Sequence, residues 1–138
     1  MAQQLACDIV TPMQKVVSTE VHLVTVPGVE GEMGFLPNHA PIVSALADGE
    51  VRLVGEDESK IDRYLVHGGY VEVMTNKVII LADKACHLAE VDLEKVHEEA
   101  DELRSEIEAL PEGDARRATF EESLQWCELQ IEYVKKSA

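Results

Sequence analysis

The feature that most constrains this chain is a change in the period of its hydrophobic pattern near residue 87. Before that point, short runs rich in β-branched residues are separated by turn residues, which predicts strands. The predicted strands are Leu5 to Val10, Lys15 to Val26, Gly49 to Val54, Ile61 to His67, Tyr70 to Met74 and Lys77 to Leu81. Many short strands with few helical stretches favour a β-sandwich or a barrel.

From Asp92 onward the apolar residues recur every three or four positions, which predicts two helices on either side of Pro111 to Asp114. Their apolar stripes are Leu93, Val96, Ala100, Leu103, Ile107 and Leu110, then Phe120, Leu124, Cys127, Ile131 and Val134. Helices joined by so short a turn run antiparallel, with Asp92 and Asp114 as the expected N-caps. The sequence therefore predicts an α+β chain, with a β domain over 1–86 and a helical hairpin over 87–138.

The net charge of −15 over 138 residues narrows the choice of partners. Because a chain this acidic is repelled by nucleic acid and by anionic lipid, we expect neither as the main partner. No apolar run approaches the ~20 residues that span a bilayer, and residues 1–4 lack the character of a signal peptide, so we expect no insertion into the membrane. Cys7, Cys86 and Cys127 are odd in number and widely spaced, which favours reduced thiols over disulfides or a zinc site.

The near matches to catalytic motifs are incomplete. His97 begins a pattern typical of zinc proteases, but Asp101 stands where the second histidine is needed. The sequence His67-Gly68-Gly69 is similar to an esterase oxyanion loop, yet the chain has no Gly-x-Ser-x-Gly nucleophile turn. We therefore interpret the two glycines as a sharp bend between strands and predict neither a catalytic residue nor a metal site.

The segment 31–41, with the sequence GEMGFLPNHAP, mixes two flexible glycines with two rigid prolines. Its large apolar residues are Met33, Phe35 and Leu36. They are either tucked onto the core or used as a contact patch, and the pattern leaves both alternatives open. His39 is expected to stabilise the turn or to contact a partner.

The whole arrangement resembles a known family. The segment 31–41, the later sequences GGYVEV (68–73) and NKVIILAD (76–83), and the closing hairpin are similar to the epsilon subunit of bacterial-type F1Fo ATP synthase. The resemblance implies a flattened ten-stranded β-sandwich and two C-terminal helices. It also implies a non-catalytic rotor subunit of the central stalk that binds gamma and the c-subunit ring at the cytoplasmic face of a bacterial inner membrane, with protons as the default coupling ion.

The resemblance also implies contact surfaces. The residues carried over to the c-ring contact are Glu32, Met33, Gly34, Phe35, Leu36, Pro37, Asn38 and His39. Gamma would lie against a broad sheet face, and the hairpin would meet the alpha/beta catalytic hexamer transiently as a brake on ATP hydrolysis. That brake relies on basic residues, whereas residues 87–138 hold 15 acidic and six basic side chains. We therefore expect a weak or absent inhibitory role.

Some members of the family bind ATP through an Ile/Leu-Asp-x-x-Arg-Ala segment at the start of the first helix. Here Asp92 is kept, but Lys95 replaces the arginine and Val96 the alanine, which removes bidentate recognition of phosphate. We therefore expect no cofactor, with Asp92 and Lys95 as the residues of any weak nucleotide binding.

A second hypothesis is a soluble acidic β-sandwich adaptor. Such a protein would recognise a protein partner through the 31–41 loop, without any connection to a membrane machine. Its distinguishing observation is co-purification with a soluble partner instead of gamma.

Overall fold

A computed structural model describes residues 4–137 of the chain. The chain forms two compact units, and the boundary between them falls after His87, one residue later than the sequence expectation. The first unit contains ten strands, and the second contains a short 3₁₀ turn and two α-helices. We describe each unit by itself.

The ten strands form two five-stranded sheets. They are β1 (Leu5–Val10), β2 (Lys15–Val21), β3 (Leu23–Gly28), β4 (Gly31–Phe35), β5 (Ile42–Ala45), β6 (Gly49–Val54), β7 (Ile61–His67), β8 (Tyr70–Met74), β9 (Lys77–Leu81) and β10 (Lys84–His87). The first sheet has the order β2-β1-β9-β8-β5, and the second has the order β10-β7-β6-β3-β4. All pairings are antiparallel except that of β1 with β9. The ten-stranded sandwich followed by a helical hairpin is confirmed.

Five of the six predicted strands have the expected bounds, and one prediction is wrong. The run from Lys15 to Val26 is two strands in different sheets, because the chain leaves the first sheet at His22 and enters the second. His22 is the single residue between the two strands, and a break of one half-buried residue does not interrupt the hydrophobic pattern. The strands β4, β5 and β10 were missed, and β4 occupies half of the segment that we interpreted as a loop.

The core lies between the sheets and follows the alternation of each strand. Its residues are Leu5, Cys7, Ile9, Val21, Val24, Val26, Phe35, Leu46, Val51, Leu53, Tyr64, Val66, Val71, Val73, Val78, Ile80 and Ala82. Burial, with a smaller effect of Asp8, raises the pKa of the Cys7 thiol to about 12, so it stays protonated at neutral pH. Over residues 4–137 no disulfide joins the three cysteines; Cys7 and Cys127 are buried, and Cys86 is half-buried.

The predicted bend at Gly68 and Gly69 is confirmed between β7 and β8. Their φ angles are +64° and +104°, in the region that favours glycine. A Cβ atom on Gly69 would lie 1.9 Å from the carbonyl oxygen of Leu81, so no side chain fits there. The bend thus needs glycine for both conformation and space.

The hairpin consists of α1 (Leu93–Ala109) and α2 (Arg116–Ser137). Cross-contacts show that the helices run antiparallel, since Arg117 donates to the carbonyl of Leu110 at 3.1 Å while Arg104 lies 4.0 Å from Glu128. The buried residues of the helix interface are Val96, Ala100, Cys127 and Ile131, all from the predicted stripes. Within residues 4–137, no helix combines the length and the apolar character needed to cross a membrane.

Candidate partner-binding surfaces

The segment 36–41, which we call the crossing segment, carries the chain from one sheet to the other. It leaves β4, the outer strand of the second sheet, and enters β5, the outer strand of the first. Pro37 and Pro41 restrict the backbone of this segment and supply no N–H group to a neighbouring strand. The crossing segment therefore runs between two strand edges on a restricted path.

The three large apolar residues of 31–41 have different environments. Phe35 is 2% exposed and belongs to the core, and Met33 is half-buried against it. Both face inward because their strand partners, Val24 and Val26, are core residues. Leu36 lies beyond the end of β4 and is 51% exposed. Strand alternation thus tucks Phe35 and Met33 onto the core and leaves Leu36 at the surface.

Asn38 anchors the middle of the crossing segment. Its φ angle is +67°, a left-handed conformation that asparagine adopts more readily than most residues. Its backbone N–H lies 2.8 Å from the carbonyl of Thr75 and 3.1 Å from Oδ1 of Asn76, in the turn between β8 and β9. These bonds tie the crossing segment to the first sheet.

His39 is held within the same segment. Its ring lies edge-on to Phe35, with 5.1 Å between ring centroids. Its Nδ1 atom lies 2.6 Å from the carbonyl oxygen of Ala40, which assigns the proton to Nδ1 as the donor. His39 therefore stabilises the turn through the carbonyl of Ala40 and through the ring of Phe35.

A row of alternating charges ends at Glu32 on β4. Arg52 donates from Nη2 to Oε1 of Glu32 at 2.7 Å and lies 3.9 Å from Glu50, which in turn accepts from Arg63 at 2.8 Å. We call Glu32, Arg52, Glu50 and Arg63 the charge row. The sequence pattern did not connect Arg52 with Glu32, because Glu32 lies on β4, a strand that the pattern did not reveal.

The outer face of the first sheet carries an apolar patch. The strand register aligns Ala45, Tyr70, Leu81 and Val10 across four strands, and Val43 lies two residues from Ala45 on β5. Tyr70 is 59% exposed, and Val43 and Leu81 are also exposed. A groove of about 610 Å³ runs along this face beside Thr11 and Pro12. We call Val10, Val43, Ala45, Tyr70 and Leu81 the sheet patch; its outward apolar positions on the strands were the signal that sequence reasoning did not use.

A polar cluster lies beside the sheet patch. Ser18 donates to Asp8 at 2.7 Å, and the amino groups of Lys15 and Lys77 lie 3.7 and 3.6 Å from the same carboxylate. The hydrogen bond from Ser18, followed by the two lysine charges, lowers the pKa of Asp8 despite its burial. Asp8 therefore stays ionised at neutral pH. The sheet patch ends where this charged cluster begins on the outer face of the first sheet.

The side chain of Asp92 contacts the backbone of Lys95 at the start of α1. Asp92 caps α1, as predicted, and its Oδ1 accepts the backbone N–H of Lys95 at 3.2 Å. Asp114 likewise accepts the backbone N–H of Arg116 at 2.9 Å, and the side-chain bond from Arg116 lowers the pKa of Asp114. Residues 4–137 contain no group of three or more His, Cys, Asp or Glu placed to hold a metal ion.

The sequence of the chain is similar to those of ATP synthase epsilon chains. A family model described as the β-sandwich domain of the ATP synthase delta/epsilon chain matches residues 4–88. An ATP synthase epsilon chain from Maricaulis maris is 35% identical over 84% of this chain and 86% of its own length. A sodium-ion-specific ATP synthase epsilon chain from Propionigenium modestum is also 35% identical, over 86% and 84% of the two chains.

Solved structures give the same result. A chain in the Euglena gracilis mitochondrial ATP synthase, in a structure of its OSCP, F1 and c-ring parts, superposes with a TM-score of 0.67 and 28% identity. The superposition covers 97% of this chain and 80% of that one. The similarity thus includes the hairpin as well as the sandwich.

Proposed function

The chain belongs to the delta/epsilon-chain family of ATP synthase, and from that premise we propose that it is a rotor subunit of the F1 central stalk, coupling ion flow through the c ring to ATP synthesis by way of gamma. It is a non-catalytic subunit. The observation that carries the proposal is the extent of the similarity, because the Maricaulis maris match spans 116 residues and so continues beyond the sandwich.

The c-ring contact is assigned to residues 32–39, with Leu36 as its apolar group. Burying the exposed half of Leu36 contributes roughly 1 kcal/mol, so this side chain alone does not hold a partner. Phe35 serves as the internal anchor instead of a contact, because it is already buried. Support for the assignment comes from the restraints on the crossing segment, since a fixed contact loses little conformational entropy on binding.

The gamma contact is assigned to the sheet patch. An apolar area on the outer face of an otherwise acidic sandwich is typical of a protein interface. Tyr70 is its largest exposed side chain and is of the type that dominates binding energy at such interfaces. In this arrangement the two assigned surfaces lie on different parts of the same rigid sandwich, so the sandwich can transmit torque between its partners.

The hairpin is proposed to have a weak or absent inhibitory role at the alpha/beta hexamer. Of its six basic residues, Arg116 and Arg117 already bond to Asp114 and to the carbonyl of Leu110. Removing the residues after position 90 should leave ATP hydrolysis by the assembled enzyme nearly unchanged. A large rise in hydrolysis would contradict this proposal.

No nucleotide is proposed for the hairpin. Asp92 already uses Oδ1 as the helix cap, and lysine at position 95 offers a point charge instead of the arginine fork. Titration of the isolated chain with ATP should therefore show no saturation up to low millimolar concentration. Saturation in the micromolar range would assign Asp92 and Lys95 to a nucleotide site.

The proposed location is the cytoplasmic face of the inner membrane, as a peripheral part of the membrane-bound synthase. Protons are the proposed coupling ion, but the relative from a sodium-ion-specific synthase is as similar to this chain as the Maricaulis maris relative. Similarity to these two relatives therefore does not identify the coupling ion.

The test is a pull-down of tagged chain from a detergent extract of its native membranes. Wild type should recover gamma, the catalytic subunits and c; Leu36→Asp should lose c selectively, and Tyr70→Asp should lose gamma. Ile61→Asp, which adds the same charge at an exposed position of β7 in the other sheet, serves as the control and should behave as wild type. Recovery of a soluble partner without any synthase subunit would favour the adaptor hypothesis.

A further inference from the structure

We infer that Arg52 is a positioning residue for the c-ring contact, holding Glu32 so that its second carboxylate oxygen accepts a hydrogen bond from the ring. The inference rests on the proposed function, because it concerns the same contact. It adds a residue outside segment 31–41 and names the chemistry that the contact uses, which is a hydrogen-bond donor on the partner.

Glu32 needs such support because of its place in the fold. It lies on β4, an edge strand whose single partner among the described strands is β3, and its side chain is 59% exposed. A glutamate with three side-chain torsions in such a place samples many rotamers unless a partner restrains it. Arg52 supplies the restraint with a 2.7 Å bond to Oε1. Among the described residues, Oε1 alone of the two carboxylate oxygens has a bonded partner, so Oε2 remains for a donor on another molecule.

The arginine itself is held from the interior of the sheet. Arg52 lies on β6, where it pairs in register with Thr25 of β3, and Thr25 pairs in turn with Gly34 of β4. The ion pair therefore reaches across β3 and joins the edge strand to the second strand inward. Glu50 lies two residues before Arg52 on the same strand, with only 15% of its side chain exposed, and its Oε1 atom is 3.9 Å from Nη1 of Arg52. An arginine between two carboxylates has a defined orientation. The position of the Glu32 side chain therefore depends on the other members of the charge row.

Arg63 provides a matched control within the same row. It donates to Glu50 at 2.8 Å, on the same sheet, but the structure gives it no bond to Glu32. Removing either arginine deletes one positive charge beside Glu50. Only the loss of Arg52 also releases Glu32, so a difference between the two variants reports on Glu32 and not on the sheet.

The experiment is a titration of the purified full chain onto immobilised c ring carrying gamma, at low salt. The variants are R52Q, E32A, the double variant R52Q/E32A, R63Q and R52K, each checked for an unchanged melting temperature. We expect R52Q to bind roughly threefold to tenfold more weakly, in keeping with coupling between residues that share a network. R52K, which keeps the charge but loses the planar fork, should recover part of that loss.

The decisive readout is the double variant. If Arg52 acts through Glu32, R52Q should cause no further loss in the E32A background, which has no acceptor for Arg52, and R63Q should bind as wild type does. Wild-type affinity in R52Q, full additivity in the double variant, or an equal loss in R63Q would each overturn the inference while wild type still binds. Failure of wild type to bind the ring would instead overturn the proposed function, and the two failures are thereby distinguished.

Discussion

The sandwich and the hairpin are built from the same chain with very different amounts of core. Among residues 4–137, the core of the sandwich contains seventeen buried residues, whereas the helix interface contains four. The charges differ too: the sandwich residues carry 12 acidic and six basic side chains, and the hairpin carries 15 and six over a shorter length. Burial of apolar side chains thus stabilises the sandwich. In the hairpin, a small buried interface must offset repulsion between many acidic side chains.

This difference teaches which part of the molecule is suited to which task. Both assigned contact surfaces lie on the sandwich, where each side chain is fixed by strand register and by core anchors such as Phe35. A pair of helices with a small interface opens at low free-energy cost, so the hairpin is the part that local unfolding or rearrangement reaches first. Four predictions test the comparison.

The largest loss of stability is expected when alanine replaces a glycine that has a positive φ angle. Gly69→Ala places a Cβ atom 1.9 Å from the carbonyl oxygen of Leu81, so it should lower the free energy of unfolding of the sandwich by about 4 kcal/mol or more. Gly113→Ala, in the turn of the hairpin, has φ of +85° but no atom within 4 Å of the new methyl group, so it should cost only about 1–2 kcal/mol. Denaturant unfolding followed by circular dichroism measures both. Equal losses would show that space is not what distinguishes the two turns.

The second prediction compares truncations of buried isoleucines. Ile80→Ala in the fully buried sandwich core should cost about 3 kcal/mol, and Ile131→Ala in the hairpin about 1–2 kcal/mol, because a small interface leaves a smaller cavity. Trp126 is the single tryptophan of the chain and lies on α2, so its fluorescence reports the hairpin. Ile131→Ala should shift that signal and leave the strand signal unchanged. A common shift of both signals would mean that the two units unfold together.

The third prediction concerns the start of α1. Asp92→Ala removes the acceptor for the N–H of Lys95 and should lower hairpin stability by about 1 kcal/mol. Asp92→Asn keeps an acceptor oxygen and is the matched control, with a smaller loss. Helicity at 222 nm during thermal unfolding measures the difference. If alanine and asparagine gave the same result, the cap would contribute nothing.

The fourth and smallest effect is a pH dependence at Asp8. Its folded-state pKa is lowered from 3.8, so the stabilisation from Ser18 and the two lysines is present above about pH 4 and is lost as pH falls through the folded pKa. Asp8→Asn should remove this part of the acid destabilisation of the sandwich. An identical acid profile for wild type and Asp8→Asn would contradict the assignment.

Much of the fold followed from local patterns, and the missed parts have identifiable causes. β4 was hidden because two of its five residues are glycines, which gave it the composition of a loop. The join at His22 was hidden because the hydrophobic pattern continues across a change of sheet. The sequence could only propose residues 32–39 as one contact segment, because the burial of Phe35 and the exposure of Leu36 depended on which of them the strand turned inward.

The sequence by itself determined the two periods, the helix caps, the glycine bend and the family, because each depends on residues near one another along the chain. Only the tertiary structure decided the sheet order, the burial of Phe35, the bond from Arg52 to Glu32 and the alignment of Tyr70 with Leu81. These depend on pairing between distant strands, and a one-residue shift of register would reverse every face. Local sequence specifies an element's period, whereas the partner across the sheet specifies which neighbour each side chain meets.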